Sequence, residues 1–240
     1  MDFLQNEAAE IVCFQELKAN ETQIDQQAIS EAGYAFQYYF SAQKKGYSGV
    51  GILCKTEPKN VVFGCGHELF DFEGRVIRAD FEDFSVISVY FPSGASGDER
   101  QEVKMQFLTF FYDYIQQIKQ TLPNLIIVGD YNIAHQNIDI HDPKGNAKST
   151  GFLPEERNWL TEFLALGFSD GFRYLNPDTA HAYTWWSMRF PTVRQNNKGW
   201  RIDYQLISNE LTARLKTAYM LPNEKHSDHC SLVLELFASE

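Results

Sequence analysis

The 240-residue sequence predicts an α/β fold in which two β-sheets form a sandwich. Three observations predict it: short runs rich in β-branched and aromatic residues recur, several of these runs are close enough to form hairpins, and few helices separate them. No internal repeat, low-complexity tract or domain-scale linker interrupts the chain. We therefore expect a single domain over residues 1–240.

The predicted strands are bounded by turn residues, and β-branched and aromatic side chains dominate them. They are Ile11–Phe14, Val50–Lys55, Arg75–Phe81, Phe84–Phe91, Leu125–Gly129, Ile202–Ser208 and Ser231–Phe237. None is long enough to cross a membrane as an apolar helix, which needs about 20 residues.

Two segments with apolar residues at helical spacing predict helices at Asp98–Gln120 and Pro154–Leu166. The stretch SGASGDE supplies capping side chains and first-turn acids to the first of these helices. The second has Pro154 in its first turn and Gly167 just past its end, which is the expected asymmetry. Weaker helical patterns cover residues 2–10 and 22–31.

The composition narrows the class of protein. The content of 44% hydrophobic and 22% charged residues argues against disorder, and the net charge of −11 argues against a protein that binds nucleic acid by general positive charge. The stretch MDFLQNEAAE has no basic segment followed by an apolar run, so we expect no signal peptide. The four cysteines form no CxxC pair, and Cys13 and Cys54 lie in apolar runs, which is typical of small buried hydrophobes in a reducing compartment. We expect a cytoplasmic protein.

The stretch LIIVGDYN (Leu125–Asn132) is an apolar strand that ends in two oxygen-bearing side chains. Asp130 and Asn132 lie two positions apart, so an extended chain presents both on one side. Oxygen ligands at a strand end suit Mg²⁺, which keeps water and substrate phosphate among its other ligands. The alternative is that both residues only cap the following turn.

Three further segments place polar side chains at strand ends. Glu16 follows the strand Ile11–Phe14, and its alternative reading is an exposed acid. Asp228 and His229 immediately precede the last strand and offer an acid–base group or a cation for a phosphate. Asp203 lies within an apolar strand, where a buried carboxylate needs a partner. The imidazole of His229 is the partner that can be buried with it at the lowest cost in free energy. A lone histidine is more often structural, but four such sites in one small domain point to function.

Seven motifs together carry a family resemblance: FQELK, YSGVGILCK, GDYNIAHQNIDI, GFLPEER, AYTWWSMR, GWRIDYQLIS and SDHC. They resemble the exonuclease III family of abasic-site endonucleases, within the larger endonuclease/exonuclease/phosphatase superfamily. The motifs span nearly the whole chain and occur in the family's order. The resemblance implies a DNase I-like fold, that is, a four-layer α/β sandwich with two packed mixed β-sheets flanked by helices.

The resemblance also implies a role for each site residue in metal-assisted phosphodiester hydrolysis. Asp130 matches the aspartate that orients or deprotonates the attacking water, and Asn132 its neighbour that holds the phosphate. Tyr90 matches a tyrosine at the scissile phosphate; its alternative is a strand-end aromatic that packs on a neighbour. Asp203 and His229 match a carboxylate–imidazole pair. The implied metal ligands are Glu16, Asp130, Asn132, Asp228 and His229, with Mg²⁺ as the ion and Mn²⁺ as its substitute.

Substrate recognition is implied for two groups of residues. Trp185, Trp200 and Ile202 match an apolar pocket for a sugar without its base, although tryptophans can also simply fill a core. The loop Pro177–Trp200 is expected in the DNA minor groove. The basic residues expected to contact DNA are Arg189, Arg194 and Lys198 in that loop, and Lys44, Lys45 and Arg75 elsewhere.

The expected function is therefore a magnesium-dependent DNA repair nuclease. It would cleave 5′ to abasic sites, and remove nucleotides or blocking groups from 3′ ends of double-stranded DNA, as a monomer away from membranes. One alternative is an inactive DNA-binding homologue. Another is a phosphoinositide phosphatase or sphingomyelinase branch of the superfamily, against which GWRIDY and the paired tryptophans argue.

The chain departs from the family's pattern at its start. Members usually begin with a strand and a turn whose asparagine helps bind metal and phosphate, whereas MDFLQNEAAE matches the helix after that turn. Two explanations are open: translation assigned to an internal methionine, or a truncated copy that is destabilised or inactive. The intact motifs downstream favour the first.

Overall fold

The computed structural model describes residues 2–189, 192–224 and 226–239. The helices of these residues are α1 (Asp2–Glu7), α2 (Gln26–Glu31), α3 (Glu68–Phe72), α4 (Asp98–Ile118), α5 (Pro154–Ala165), α6 (Gly171–Leu175) and α7 (Thr192–Gln195). The strands are β1 (Ile11–Gln15), β2 (Phe36–Phe40), β3 (Val50–Cys54), β4 (Asn60–Phe63), β5 (Val76–Asp80), β6 (Ser85–Tyr90), β7 (Leu125–Asp130), β8 (Phe168–Asp170), β9 (Asp203–Ser208), β10 (Leu215–Leu221) and β11 (Ser231–Leu236). None of the described helices combines the length and the apolar character that a membrane span requires.

The chain divides into two compact units. The first contains the residues up to Tyr90 together with Leu125–Gly129, and the second contains Phe91–Asn124 and the chain from Asp130 onward. The prediction of one domain over the whole chain stays a prediction.

The first unit is built on antiparallel strands. β3 lies between β1 and β2, and all five of its residues are buried because a strand covers each of its edges. In a second sheet, β4, β5, β6 and β7 are neighbours in that order. Side chains of β3 and β5 form the core, including Ile52, Cys54 and Ile77. Cys54 is thus a buried free thiol, as predicted, whereas Cys13 is only partly buried.

The second unit is organised around α4 and α5. The buried stripe of α4 is Phe107, Leu108, Phe111 and Ile115, whose three- and four-residue spacing places them on one face. The ring of Phe111 stacks on Phe163 of α5, with centroids 5.7 Å apart. Two antiparallel pairs, β8 with β9 and β10 with β11, complete this unit.

Both strongly predicted helices are confirmed, and α5 begins at Pro154 as expected. The expected capping of α4 by a side chain is wrong. Its N-cap is Gly97, at φ 107°, and no side chain accepts a cap hydrogen bond there. The chain enters α4 through a backbone conformation that glycine adopts easily, which leaves the acids Asp98 and Glu99 to face the positive end of the helix dipole.

Candidate active site

β7 ends in a turn at Asp130–Asn132, in which Asn132 donates three hydrogen bonds. The backbone N–H of Asn132 donates to Oδ1 of Asp130 at 2.8 Å, and its side-chain Nδ2 donates to Oδ2 of Asp130 at 3.2 Å and to the carbonyl oxygen of Phe91 at 3.0 Å. Asn132 has φ 53°, a left-handed conformation that asparagine tolerates better than most residues. Asp130 is only 5% exposed. The turn therefore fixes both predicted oxygen-bearing side chains.

Asp203 and His229 form the predicted carboxylate–imidazole pair. Nδ1 of His229 lies 2.9 Å from Oδ2 and 3.1 Å from Oδ1 of Asp203. The hydroxyl oxygen of Thr184, a fully buried residue, accepts the backbone N–H groups of Ile202 and Asp203 at 3.0 and 3.2 Å. Thr184 thus holds the start of β9, and with it the carboxylate that orients the ring.

Asp130, in the turn after β7, lies next to the Asp203–His229 pair. Asp130, Asp203 and His229 each offer one ligand atom, and the three atoms lie within 4.8 Å of one another. Nε2 of His229 is 4.0 Å from Oδ2 of Asp130. Burial alone would lower the pKa of His229, but the charge and hydrogen bond of Asp203, with the charges of Asp130 and Asp228, outweigh it and raise this pKa to about 10. The imidazole is consequently a cation at neutral pH.

The donor chemistry of this cluster fits a divalent cation. Two carboxylates from separate strands supply the hard oxygen ligands that Mg²⁺ and Mn²⁺ take, and such ions usually complete their coordination with water and phosphate oxygens. Nδ1 of His229 is already occupied by Asp203, so the protonated ring has only its Nε2–H to offer to a phosphate oxygen. Among the described residues, the cluster contains Asp203 in addition to the predicted ligands Asp130 and His229.

Asp228 is not one of the three clustered ligands, and its carboxylate contacts Trp185. Its Oδ2 accepts the indole Nε1–H of Trp185 at 2.9 Å, and its Oδ1 accepts the hydroxyl of Ser227 at 3.2 Å. Burial raises the pKa of Asp228, but the Trp185 hydrogen bond and the charge of His229 outweigh it and leave this pKa below its usual value. The carboxylate anchors the loop that carries His229, and its role as a metal ligand stays a prediction.

The three residues predicted to form an apolar pocket are gathered in one place. Trp185 and Trp200 pack edge to face with centroids 6.1 Å apart, and their backbones exchange two hydrogen bonds of 2.9 Å. Ile202 is buried beside them in a cluster that includes Ile140 and Phe152. Both tryptophans remain partly exposed, so they can contact a ligand as well as fill the core.

The basic residues of the loop 177–200 differ in their surroundings. Arg189 and Lys198 are exposed. Arg194 is only half-buried, and its guanidinium donates to the carbonyl oxygens of Ser227, Pro222 and Glu224 and lies 4.5 Å from the Trp186 ring. These bonds argue against the expected DNA contact of Arg194, which stays a prediction.

Two predicted site residues belong to the first compact unit. Glu16 follows β1 at φ 53° and pairs with Lys18 at 2.9 Å. Tyr90 is buried at the end of β6, and its carbonyl oxygen accepts Nη1 of Arg75 at 2.8 Å. Their roles stay predictions.

The expectation that Arg75 contacts DNA is wrong. Its side chain is 1% exposed and pairs with Glu73 at 2.6 Å. A side chain with those partners is not a surface contact for a phosphate backbone. Lys44 and Lys45 are exposed as expected.

Two residues near the turn were missed by sequence reasoning. Lys104 and Glu156 form a fully buried ion pair of 2.6 Å, and Nζ of Lys104 also donates to the carbonyl oxygen of Asn132 at 2.8 Å. A signal was present, because Lys104 falls three and four positions before Phe107 and Leu108, on the apolar stripe of its helix.

A carboxylate cluster with a cationic imidazole beside a partly exposed aromatic cluster, on an α/β scaffold, is typical of a phosphodiester-cleaving hydrolase. Comparison with known proteins places the chain within that class: residues 1–229 match the endonuclease/exonuclease/phosphatase family. The chain belongs to this family, in its exonuclease III and abasic-site endonuclease branch.

Relatives and solved structures agree with that assignment. The DNA repair nuclease APEX1 of Danio rerio is 40% identical over 237 residues, which are 98% of this chain and 76% of that protein. An exodeoxyribonuclease of Bacillus subtilis is 41% identical over 234 residues, 98% of this chain and 90% of that one. An AP endonuclease from Archaeoglobus fulgidus superposes with a TM-score of 0.90 at 29% identity, over 99% of this chain and 92% of that one. A 3′ phosphatase, NExo, from Neisseria bound to product DNA hairpin has the same TM-score at 27% identity and the same coverage. The predicted DNase I-like α/β fold class is confirmed.

Proposed function

We propose that this nuclease depends on Mg²⁺, with Mn²⁺ as a substitute, and cleaves double-stranded DNA on the 5′ side of abasic sites. We include removal of nucleotides or blocking groups from 3′ ends in the proposal. Relatives described as an exodeoxyribonuclease, a DNA repair nuclease and a 3′ phosphatase support this range of substrates. We also propose that it works as a cytoplasmic monomer.

The observation that carries the proposal is the meeting of Asp130, Asp203 and His229 within 4.8 Å. Asp130 accepts a proton from, or orients, the attacking water. The imidazolium of His229, held by Asp203, donates a hydrogen bond from Nε2 to a phosphate oxygen that gains negative charge in the transition state. Asn132 would hold the phosphate by turning to it the side-chain N–H that it otherwise gives to Asp130 at 3.2 Å, while its other side-chain N–H stays on the carbonyl oxygen of Phe91.

A cation at the two carboxylates would neutralise charge on the phosphate group. Asp130 and Asp203 would hold it, and the turn at Asn132 keeps the first of these carboxylates in place. A preorganised carboxylate does not have to be reoriented during the reaction, which lowers the barrier.

The pocket of Trp185, Trp200 and Ile202 supports recognition of a sugar without its base. Its walls are flat rings and an aliphatic side chain, with the Trp185 indole N–H already bonded to Asp228. A base-free sugar leaves the helical stack at low cost, whereas a normal nucleotide must first be unpaired. The pocket therefore selects by size and by the cost of extrusion.

The decisive experiment is cleavage of a fluorescent duplex with one stable abasic-site analogue. We expect a single product cut 5′ to that site in Mg²⁺ or Mn²⁺, and none in EDTA. The matched control duplex has a normal nucleotide at the same position. A second duplex with a 3′-phosphate end tests removal of blocking groups.

The alternatives give different results in the same assay. An inactive DNA-binding homologue retains the abasic duplex in a filter-binding assay yet releases no product in Mg²⁺. Hydrolysis of a phosphoinositide, with both duplexes intact, would instead place the chain in another branch of the superfamily.

A further inference from the structure

The buried ion pair Lys104–Glu156 contacts the turn at Asn132, which belongs to the proposed active site. Lys104 lies on α4 with no exposed surface, and its Nζ is 2.6 Å from Oε1 of Glu156 and 2.8 Å from the carbonyl oxygen of Asn132. Burial lowers the pKa of Lys104 from its ordinary value, although Glu156 and Asp130 oppose that effect. The amine therefore joins an ion pair to a backbone oxygen of the catalytic turn.

Glu156 extends this connection to a second loop. Its Oε2 accepts the backbone N–H groups of Gly151 at 2.6 Å and Leu153 at 3.0 Å. Gly151 in turn accepts the N–H of Ala134 at 2.7 Å, and a Cβ added to Gly151 would lie 3.0 Å from the carbonyl oxygen of Asn132. The turn after β7 is thus held between α4 and the segment that precedes α5.

The stability of the fold does not by itself explain why an ion pair is buried here. Removing two charges from water costs several kcal/mol for each ion, and well-packed apolar residues are often as stable or more so. An ammonium group does what an apolar side chain cannot, because it donates a charge-assisted hydrogen bond to the oxygen of Asn132. That oxygen belongs to the residue with a left-handed backbone.

We propose that Lys104 is a positioning residue for Asn132, with Glu156 as the counterion that keeps its ammonium group charged and in place. This inference rests on the proposed function of Asn132 as a phosphate-holding residue. Loss of the Lys104 bond lets the Asn132 backbone relax, and its side chain then leaves the carbonyl oxygen of Phe91 and the carboxylate of Asp130. A displacement of about 1 Å at such a group costs about 100-fold in rate.

The test uses K104M and the double variant K104M/E156Q in the whole protein. K104M alone leaves a buried carboxylate unpaired and is expected to unfold at lower temperature. The double variant removes that charge, while the amide oxygen that E156Q introduces can still accept a backbone N–H. The matched control is K119M, which is the same change at the C-terminal end of the same helix, at a lysine paired with Glu210 at 3.4 Å.

For abasic-duplex cleavage we expect kcat of the double variant to fall by roughly 10- to 100-fold, as for other groups that orient a ligand. KM should be unchanged, and the melting temperature should return close to that of the wild type. K119M should keep the wild-type kcat. Recovery of kcat together with melting temperature in the double variant would overturn the inference, because a purely structural pair predicts that result.

Two further measurements separate positioning from general damage. When N132A is already present, adding K104M/E156Q should lower kcat further by less than about twofold, because the side chain that Lys104 positions is absent. Amide hydrogen exchange at Asn132 and Ala134 should accelerate on the order of tenfold in the double variant, but not in K119M. If the wild type fails to cleave, the proposed function fails, and the exchange comparison alone decides whether Lys104 holds the turn. Unchanged exchange would refute it.

Discussion

The indole Nε1 of Trp185 donates a hydrogen bond to Oδ2 of Asp228 at 2.9 Å. This bond joins a wall of the proposed sugar pocket to the residue beside His229. The backbone N–H of Trp186 adds a second link, since it donates to the carbonyl oxygen of Asp228 at 3.1 Å. Two hydrogen bonds therefore connect the proposed sugar pocket to the loop that carries His229.

W185F should reduce cleavage of an abasic duplex by more than it reduces stability. The change keeps an aromatic ring but removes the N–H donor, which releases Asp228 and the His229 loop. We expect about a tenfold loss in kcat/KM, which corresponds to about 1.4 kcal/mol. Steady-state kinetics and thermal unfolding measure the two effects.

The matched control is W159F. Trp159 also donates its indole N–H, to the carbonyl oxygen of Leu108 at 2.8 Å, but it does so in the aromatic core beside α4. We expect W159F to lower the melting temperature with little change in kcat. Equal losses of activity in the two variants would contradict a specific role for the Trp185–Asp228 bond.

D203N should lower the pKa of His229 in the metal-free protein. Burial favours the neutral ring, and the Asp203 charge is the largest opposing influence that holds this pKa at about 10. Because the folded pKa is raised above 6.5, protonated His229 stabilises the fold below that pH, and the contribution is lost as pH rises through about 10. NMR titration of the imidazole measures the shift.

The exposed acid Asp178 provides the control, and D178N should leave the His229 titration where it is in the wild type. A titration of His229 that does not move in D203N would show that the 2.9 Å contact does not set its charge.

Salt dependence should distinguish Arg189 and Lys198 from Arg194. R189Q and K198Q each remove an exposed charge, and we expect each to reduce the slope of log Kd against log salt by about 1 if it contacts a phosphate. R194M should leave the slope unchanged, because the Arg194 guanidinium binds carbonyl oxygens inside the protein. Fluorescence anisotropy with an abasic duplex over a range of salt concentrations measures these slopes. A flatter slope for R194M, with R189Q and K198Q unchanged, would reverse the assignment.

D139N should destabilise the second unit. Asp139 is fully buried and pairs with Arg173 at 2.6 Å and with Arg201 at 2.8 Å. Breaking a buried ion pair costs roughly 3–5 kcal/mol, which chemical denaturation can measure. D142N, at an acid nearby in sequence that is less buried, should cost much less.

The effect of D139N should depend on pH. Burial raises the pKa of Asp139, but the two guanidinium groups outweigh it, so the folded pKa lies below the ordinary 3.8. The stabilisation is present above 3.8, shrinks as pH falls below that value, and disappears below the folded pKa. The stability difference between wild type and D139N should follow that course. A difference that stays constant into strong acid would show that the Asp139 charge is not responsible.

Local pattern was sufficient for several elements. The apolar spacing of α4 and the proline at the start of α5 predicted both helices, because each signal lies within one helical element. The run Leu125–Gly129 predicted β7, and the two-residue spacing after it predicted that Asp130 and Asn132 act together. Strands with weak patterns were missed, such as β8 with three residues and β10, in which polar and apolar residues do not alternate.

The sequence by itself determined the class of fold, the family motifs and the chemical types available for a site. Only the tertiary structure decided the surroundings of several similar cations: Arg75 and Lys104 are buried and Arg194 is half-buried, and all three bind other groups of the protein, while Arg189 and Lys198 face solvent. The reason is physical. A helix or strand is specified by neighbours a few residues apart, whereas the partner of a charged side chain comes from a distant part of the chain, as Glu156 does for Lys104.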